Sequence, residues 1–197
     1  MIKILSQIKV LPVLEIDTNV DPERLFESLL EGNITIVEIT LRNKLAFKHL
    51  ELIRKKFSEV IVGMGTVLNI DQMKQSIDCG AHFAVSPGYE LKLAKFAKKI
   101  EFPYLPGVSS SSDIMSLLNL DFNIFKFFPA YNSGGIKYLK TLNGPFPNVK
   151  FCPTGGINEK NYYDWIIEKN VICVGGSWIA PKGFSDYKEI TKRAARV

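Results

Sequence analysis

Short apolar runs and longer amphipathic stretches take turns along the whole chain. The runs fall at residues 11–16, 36–41, 60–67, 82–87, 103–108, 124–130, 149–156 and 171–177, and most carry an isolated polar residue near the carboxyl end. Runs that are apolar on both faces predict parallel strands covered on both sides. Between them, apolar positions return at helical spacing over residues 44–57, 71–79, 90–99, 111–118, 136–142, 159–169 and 185–196. A further helix opens at Asp21-Pro22-Glu23, with an aspartate as cap and proline at the first helical position, and stops at Gly32.

Eight strand-helix units call for a parallel sheet, and eight is the number at which such a sheet closes into a (β/α)8 TIM barrel. An open doubly wound sheet is the alternative with the same local pattern. A chain of 197 residues with 46% hydrophobic composition can bury one sizeable core. Residues 1–197 are therefore expected to form a single compact barrel domain of the α/β class, with residues 1–8 as a short helix over its amino-terminal end. The length lies just under the lower bound of about 200 residues usual for this barrel, so a site has to be assembled from strand ends and short loops.

A net charge of +5 and a pI near 9.0 raise the question of nucleic acid. The basic residues, however, lie in helical stretches such as Arg54-Lys55-Lys56 and Lys192-Arg193-Arg196, interleaved with acids. That is the pattern of solvated helix faces, although a mild positive field would still favour an anionic metabolite. Cys79, Cys152 and Cys173 are odd in number and widely separated, which offers neither a disulfide framework nor metal-ligand spacing. His49 and His82 read as helix-face and strand-start residues. No apolar run approaches the roughly 18 residues of a membrane span, and the first residues lack the apolar core of a signal peptide. The expectation is a cytoplasmic protein with no metal, no membrane association and no nucleic-acid partner.

One lysine interrupts the run Ile124-Phe125-Lys126-Phe127-Phe128-Pro129-Ala130. Strand alternation puts Ile124, Lys126 and Phe128 on one face and Phe125 and Phe127 on the other. Two roles suit such a residue. At a strand edge its stem packs while its head stays in water; desolvated among aromatic rings, a lysine more readily presents the neutral amine that attacks a ketone to form a Schiff base.

In a barrel the functional residues gather at the carboxyl ends of strands. There the second run offers Glu38, Thr40 and Arg42 at positions i, i+2 and i+4, which an extended strand directs the same way. Arg42 supplies a bidentate fork for a carboxylate and Glu38, lying deeper, a general acid and base. The alternative is that the two pair with each other. Gly155-Gly156 and Gly175-Gly176-Ser177 end the last two runs, where barrels of this kind hold phosphate on backbone N–H groups, unless the glycines mark tight turns alone. Met64, Thr66, Pro87 and Phe128 would line the wall between.

In order along the chain, VEITLRN (37–43), GMGTV (63–67), SPG (86–88), FKFFPA (125–130), CPTGGI (152–157) and GGSW (175–178) resemble the motifs of the class I aldolases acting on 2-keto-3-deoxy-6-phosphogluconate (KDPG) and 4-hydroxy-2-oxoglutarate (KHG). The resemblance implies a homotrimeric barrel that splits 2-dehydro-3-deoxy-6-phosphogluconate into pyruvate and D-glyceraldehyde 3-phosphate. Members of the family also split 4-hydroxy-2-oxoglutarate into pyruvate and glyoxylate, or act on the galactonate epimer. By position, the resemblance makes Lys126 the Schiff-base lysine and Glu38 the acid and base that works through a water. Arg42 would hold the pyruvyl carboxylate, Thr66, Pro87, Phe128 and Thr154 would surround the pyruvyl portion, and Gly155, Gly156, Gly176 and Ser177 would take the phosphate. The imine on Lys126 is the electron sink, so no cofactor and no metal are implied.

Two positions depart from the family. Tyr131 follows FFPA where relatives carry an acid, and Glu15 ends the first run where many carry a basic or apolar residue; both bear on substrate choice. On the residues alone, a phosphosugar epimerase or isomerase and a non-catalytic barrel that binds a phosphorylated metabolite stay open.

Overall fold

The computed structural model describes residues 1–197. The strands are β1 (Val10–Leu14), β2 (Ile36–Thr40), β3 (Ile61–Gly65), β4 (Phe83–Val85), β5 (Tyr104–Leu105), β6 (Gly107–Val108), β7 (Ile124–Phe127), β8 (Lys150–Pro153) and β9 (Val174–Gly176). The helices are α1 (Ile2–Leu5), α2 (Pro22–Glu31), α3 (Ala46–Lys56), α4 (Ile70–Asp78), α5 (Leu91–Lys99), α6 (Ser111–Leu118), α7 (Gly135–Leu142), α8 (Tyr162–Ile166) and α9 (Tyr187–Ala194).

Every strand pairing is parallel. Six strands form a half-barrel in the order β5-β4-β3-β2-β1-β9, and β6-β7-β8 form a second sheet. The expected run of eight continuous strands is thus corrected in two places, and proline accounts for both. Pro106 has no N–H to give the ladder, so residues 103–108 split into β5 and β6. Pro153 stands between the bridges Phe151↔Val171 and Thr154↔Gly175, which leaves those two isolated contacts between β8 and the β9 segment.

Local signals set the helix ends. Asp21 accepts the N–H groups of Glu23 at 2.9 Å and Arg24 at 3.3 Å ahead of Pro22, and Ser110 forms a reciprocal capping box with Asp113 at the start of α6. Helix α8 is shorter than the stretch 159–169. Asn158 accepts from the N–H of Lys160 and Asn161 from that of Asn158, and these turns hold the preceding residues out of the helix.

Strand alternation sorts the apolar side chains into two layers. Phe125, Phe127 and Phe151 pack between strands and helices, each contributing roughly 1.5–3 kcal/mol by burial. The opposite face carries Leu11, Ile36, Phe83, Leu105 and Ile124, gathered around Leu5 of α1. Two residues further along the same faces of β2 and β7 stand Glu38 and Lys126. The inner face is therefore apolar toward the amino ends of the strands and charged toward their carboxyl ends. No helix is long and apolar enough to cross a membrane.

Candidate active site

Lys126 is 5% exposed and Glu38 1% exposed, and they face each other across the inner surface. The Nζ of Lys126 donates to Glu38 Oε1 at 3.1 Å and Oε2 at 3.4 Å. Residue pairing fixes both ends of this contact: Lys126 sits beside Gly107 of β6 and Cys152 of β8, Glu38 beside Val13 of β1 and Gly63 of β3. Gly65 makes room for the carboxylate, since a methyl group there would stand 2.1 Å from Glu38 Oε1. Phe128 places its ring centroid 5.5 Å from the ammonium nitrogen. The strand-edge role is excluded, because β7 is paired on both sides and the Lys126 side chain is only 6% exposed. Desolvating two charges costs several kcal/mol per ion, so a pair this deep adds little to stability. Its chemistry is specific: a carboxylate within hydrogen-bond reach of a lysine sets a general acid and base beside a nucleophile.

Arg42 does not join Glu38. Strand β2 ends at Thr40, whose hydroxyl donates to the Leu14 carbonyl at 3.0 Å, and beyond that point strand alternation no longer directs side chains. Arg42 lies in the following bend, 48% exposed, with Nη1 3.5 Å from Glu15 Oε2. The other oxygen of Glu15 meets Lys182 at 2.5 Å. That contact, through its hydrogen bond first and its charge second, raises the Lys182 pKa above the ordinary lysine value. Glu15 is visible in the sequence as a departure. Lys182, in the loop Pro181-Lys182-Gly183, carries no signal that could have found it.

Thr66 follows β3 with φ +60°, a conformation costly for a β-branched residue and concentrated at functional sites. The neighbouring wall is braced by groups the sequence did not single out. Ser86 donates to the Val67 carbonyl, Tyr104 donates to Ser86 at 2.8 Å, and burial pushes the Tyr104 phenol up to about 12. This bracing fixes the residue that precedes half-buried Pro87. Met64 is fully buried in the layer behind the strands and does not line the wall.

Gly155 and Gly156 have φ of +101° and +79°, so their turn requires glycine. A side chain at Gly155 would abut Pro129 and the Phe128 ring. The loop is tied to the lysine strand by Ala130 N–H to the Thr154 carbonyl at 2.8 Å and Tyr131 N–H to the Gly155 carbonyl at 3.0 Å. Thr154 is buried, donates to the Cys152 carbonyl at 3.3 Å and lies against Gly175. Gly156 and Ser177 are exposed, as is Tyr131, while Gly176 is buried with the Trp178 ring filling the space a side chain would need.

A hydrogen bond with Cys152, together with burial, holds the Cys173 thiol well above its ordinary pKa, which makes it a poor nucleophile. A cavity of about 460 Å³ lies elsewhere, at the amino ends of β5 and β7 among Lys98, Phe102, Tyr104 and Phe122. The chemistry, not the cavity size, marks the site.

Comparison with known proteins places these residues in context. Residues 1–193 match the family described as KDPG and KHG aldolase. The KHG/KDPG aldolase of Escherichia coli strain K12 is 40% identical over 97% of this chain and 91% of its own length. The 2-dehydro-3-deoxy-phosphogluconate aldolase of Dickeya dadantii is 40% identical over 98% of this chain and 92% of its own length. Among solved structures, KDPG aldolase from Legionella pneumophila, with pyruvate captured at low pH as a covalent carbinolamine intermediate, superposes with a TM-score of 0.94 at 41% identity, covering 100% of this chain and 97% of that one.

Proposed function

Because the chain belongs to the KDPG and KHG aldolase family, we propose that it is a Schiff-base aldolase cleaving 2-dehydro-3-deoxy-6-phosphogluconate to pyruvate and D-glyceraldehyde 3-phosphate, with 4-hydroxy-2-oxoglutarate as a second substrate. The observation that carries this is the buried Lys126–Glu38 contact at 3.1 Å. Glu38 takes the ammonium proton, and the free amine of Lys126 attacks C2 of the keto acid. Glu38 returns that proton to the carbinolamine hydroxyl, whose departure as water gives the iminium and leaves Glu38 as the carboxylate. Glu38, directly or through a water, removes the proton of the C4 hydroxyl; the C3–C4 bond breaks and its electron pair moves into the C2–N iminium, giving an enamine while C4 leaves as the aldehyde. Protonation of C3 returns the iminium, and water releases pyruvate and the lysine.

Around this centre Arg42 holds the pyruvyl carboxylate, and Thr66, Pro87, Phe128 and Thr154 pack around the pyruvyl carbons. Gly155, Gly156, Gly176 and Ser177 take the phosphate, a role supported by the glycine conformations and by the exposure of Gly156 and Ser177. We place these groups at the mouth of one closed (β/α)8 barrel formed by residues 1–197. Support comes from the inner cluster, which draws on β1, β2, β4, β5, β7 and β8 at once, and from the bridge Thr154↔Gly175. The protein works as a cytoplasmic homotrimer; exposed Leu68, Met115 and Ile167 supply apolar surface that association would cover.

Pyruvate release from 2-dehydro-3-deoxy-6-phosphogluconate, its galactonate epimer and 4-hydroxy-2-oxoglutarate, followed in parallel, tests the substrate assignment. The gluconate compound is expected to give the highest kcat/KM, and a clear preference for either of the others would overturn the assignment. Gly65→Ala is expected to cut kcat by about 100-fold through displacement of the Glu38 carboxylate, with overpacking lowering stability by about 1–3 kcal/mol. Steady-state kinetics and thermal unfolding of that variant check both effects.

A further inference from the structure

Glu15 follows β1 at the rim and is braced on both sides. The Thr40 hydroxyl holds the carbonyl of Leu14 at 3.0 Å, and the Asn43 amide holds that of Ile16 at 3.0 Å. Both braces come from the end of β2 that carries Arg42. The Glu15 carboxylate, 15% exposed, is thereby fixed between two cations, 2.5 Å from Lys182 and 3.5 Å from Arg42. Asp17 adds a second negative charge near Lys182. Glu15 and Asp17 balance Arg42 and Lys182, and without Lys182 this rim would be net negative.

A fixed acid next to the arginine that receives a substrate carboxylate poses a problem, since it both competes for the guanidinium and repels the incoming anion. We infer that Lys182 neutralises Glu15 so that Arg42 keeps its charge for the carboxylate of the 2-oxo acid, which makes Glu15 and Lys182 a positioning pair for substrate recognition. This rests on the role given to Arg42 under the proposed function. The closer contact of Glu15 is to Lys182, which leaves the longer one, to Arg42, as the contact a carboxylate replaces on binding. Coulomb's law gives the direction: loss of the lysine charge turns Glu15 wholly toward Arg42.

The test is steady-state cleavage of 2-dehydro-3-deoxy-6-phosphogluconate by the full chain and four variants. Lys182→Met is expected to raise KM by about tenfold with kcat within about twofold, and more strongly at low ionic strength. Lys182→Arg keeps the charge and should retain the original KM. Glu15→Gln should leave KM unchanged or lower it, and Glu15→Gln combined with Lys182→Met should restore KM to within about threefold, as expected of a coupled pair. Three results would overturn the inference: an unchanged KM in Lys182→Met, a double variant as impaired as the single one, which would mean that Lys182 touches substrate itself, or a fall in kcat alone. All side chains concerned are at the surface or the rim, and unfolding midpoints verify that each variant folds. Trapping of pyruvate on the unaltered enzyme separates the two levels: no adduct removes the aldolase assignment and this inference with it, whereas an adduct with unresponsive KM values removes the inference alone.

Discussion

Lys126→Met is expected to lower kcat/KM for aldol cleavage by roughly ten-thousand-fold or more, because the variant loses both the nucleophile and the electron sink, which act as one unit. Nothing else near the centre can replace it. Of the two cations at the rim, Arg42 does not lose a proton in proteins and Lys182 is held protonated by its hydrogen bond to Glu15, while Cys173 holds its proton. The same variant reports on energetics. It leaves the Glu38 carboxylate, 1% exposed, without its cation, and breaking a buried pair from one side costs about 3–5 kcal/mol. Adding Glu38→Leu removes the stranded charge as well. The double variant should recover the unfolding midpoint of the unaltered protein, or exceed it by about 1–4 kcal/mol of stability, while remaining inactive. Thermal unfolding beside kinetics therefore separates function from stability at one position. A double variant no more stable than Lys126→Met would show that the pair contributes to the fold.

Glu38→Gln carries the second largest expected effect, a fall in kcat of about 100- to 10,000-fold with KM changed far less. The amide keeps the shape and can still accept a hydrogen bond from Lys126 Nζ, but it neither takes a proton from the ammonium or the C4 hydroxyl nor returns one to the enamine carbon. Imine formation should slow without stopping, since the lysine remains. Single-turnover measurements distinguish the steps: borohydride should still trap the adduct with pyruvate, whereas release of the aldehyde should be the step most retarded. Retention of full turnover by Glu38→Gln would assign the proton transfers to another group.

The chemistry of the centre was more legible in the sequence than the shape of its rim, and the reason lies in the reach of local rules. Period-two alternation along β2 and β7 suffices to place Ile36 with Glu38 and Ile124 with Lys126, and the inner cluster around Leu5 is the outcome. The same rule fails at Arg42, because β2 ends at Thr40 and the side chain then follows its charge to Glu15. Strand continuity was misjudged where prolines interrupt the ladder, at Pro106 and Pro153. The brace through Ser86 and Tyr104 and the pairing of Glu15 with Lys182 join residues 18 and 167 positions apart in sequence, across separate strands and loops. No local pattern encodes contacts of that kind. The glycine turn at Gly155 and Gly156 was visible, since consecutive positive φ values admit little else.

The most direct measurement is the intact mass of the protein after sodium borohydride reduction in the presence of pyruvate, followed by peptide mapping. A single reduced pyruvyl adduct on Lys126, absent from Lys126→Met, is the expected result. No adduct, or an adduct on any other lysine, would contradict the assignment of Lys126 as the Schiff-base residue.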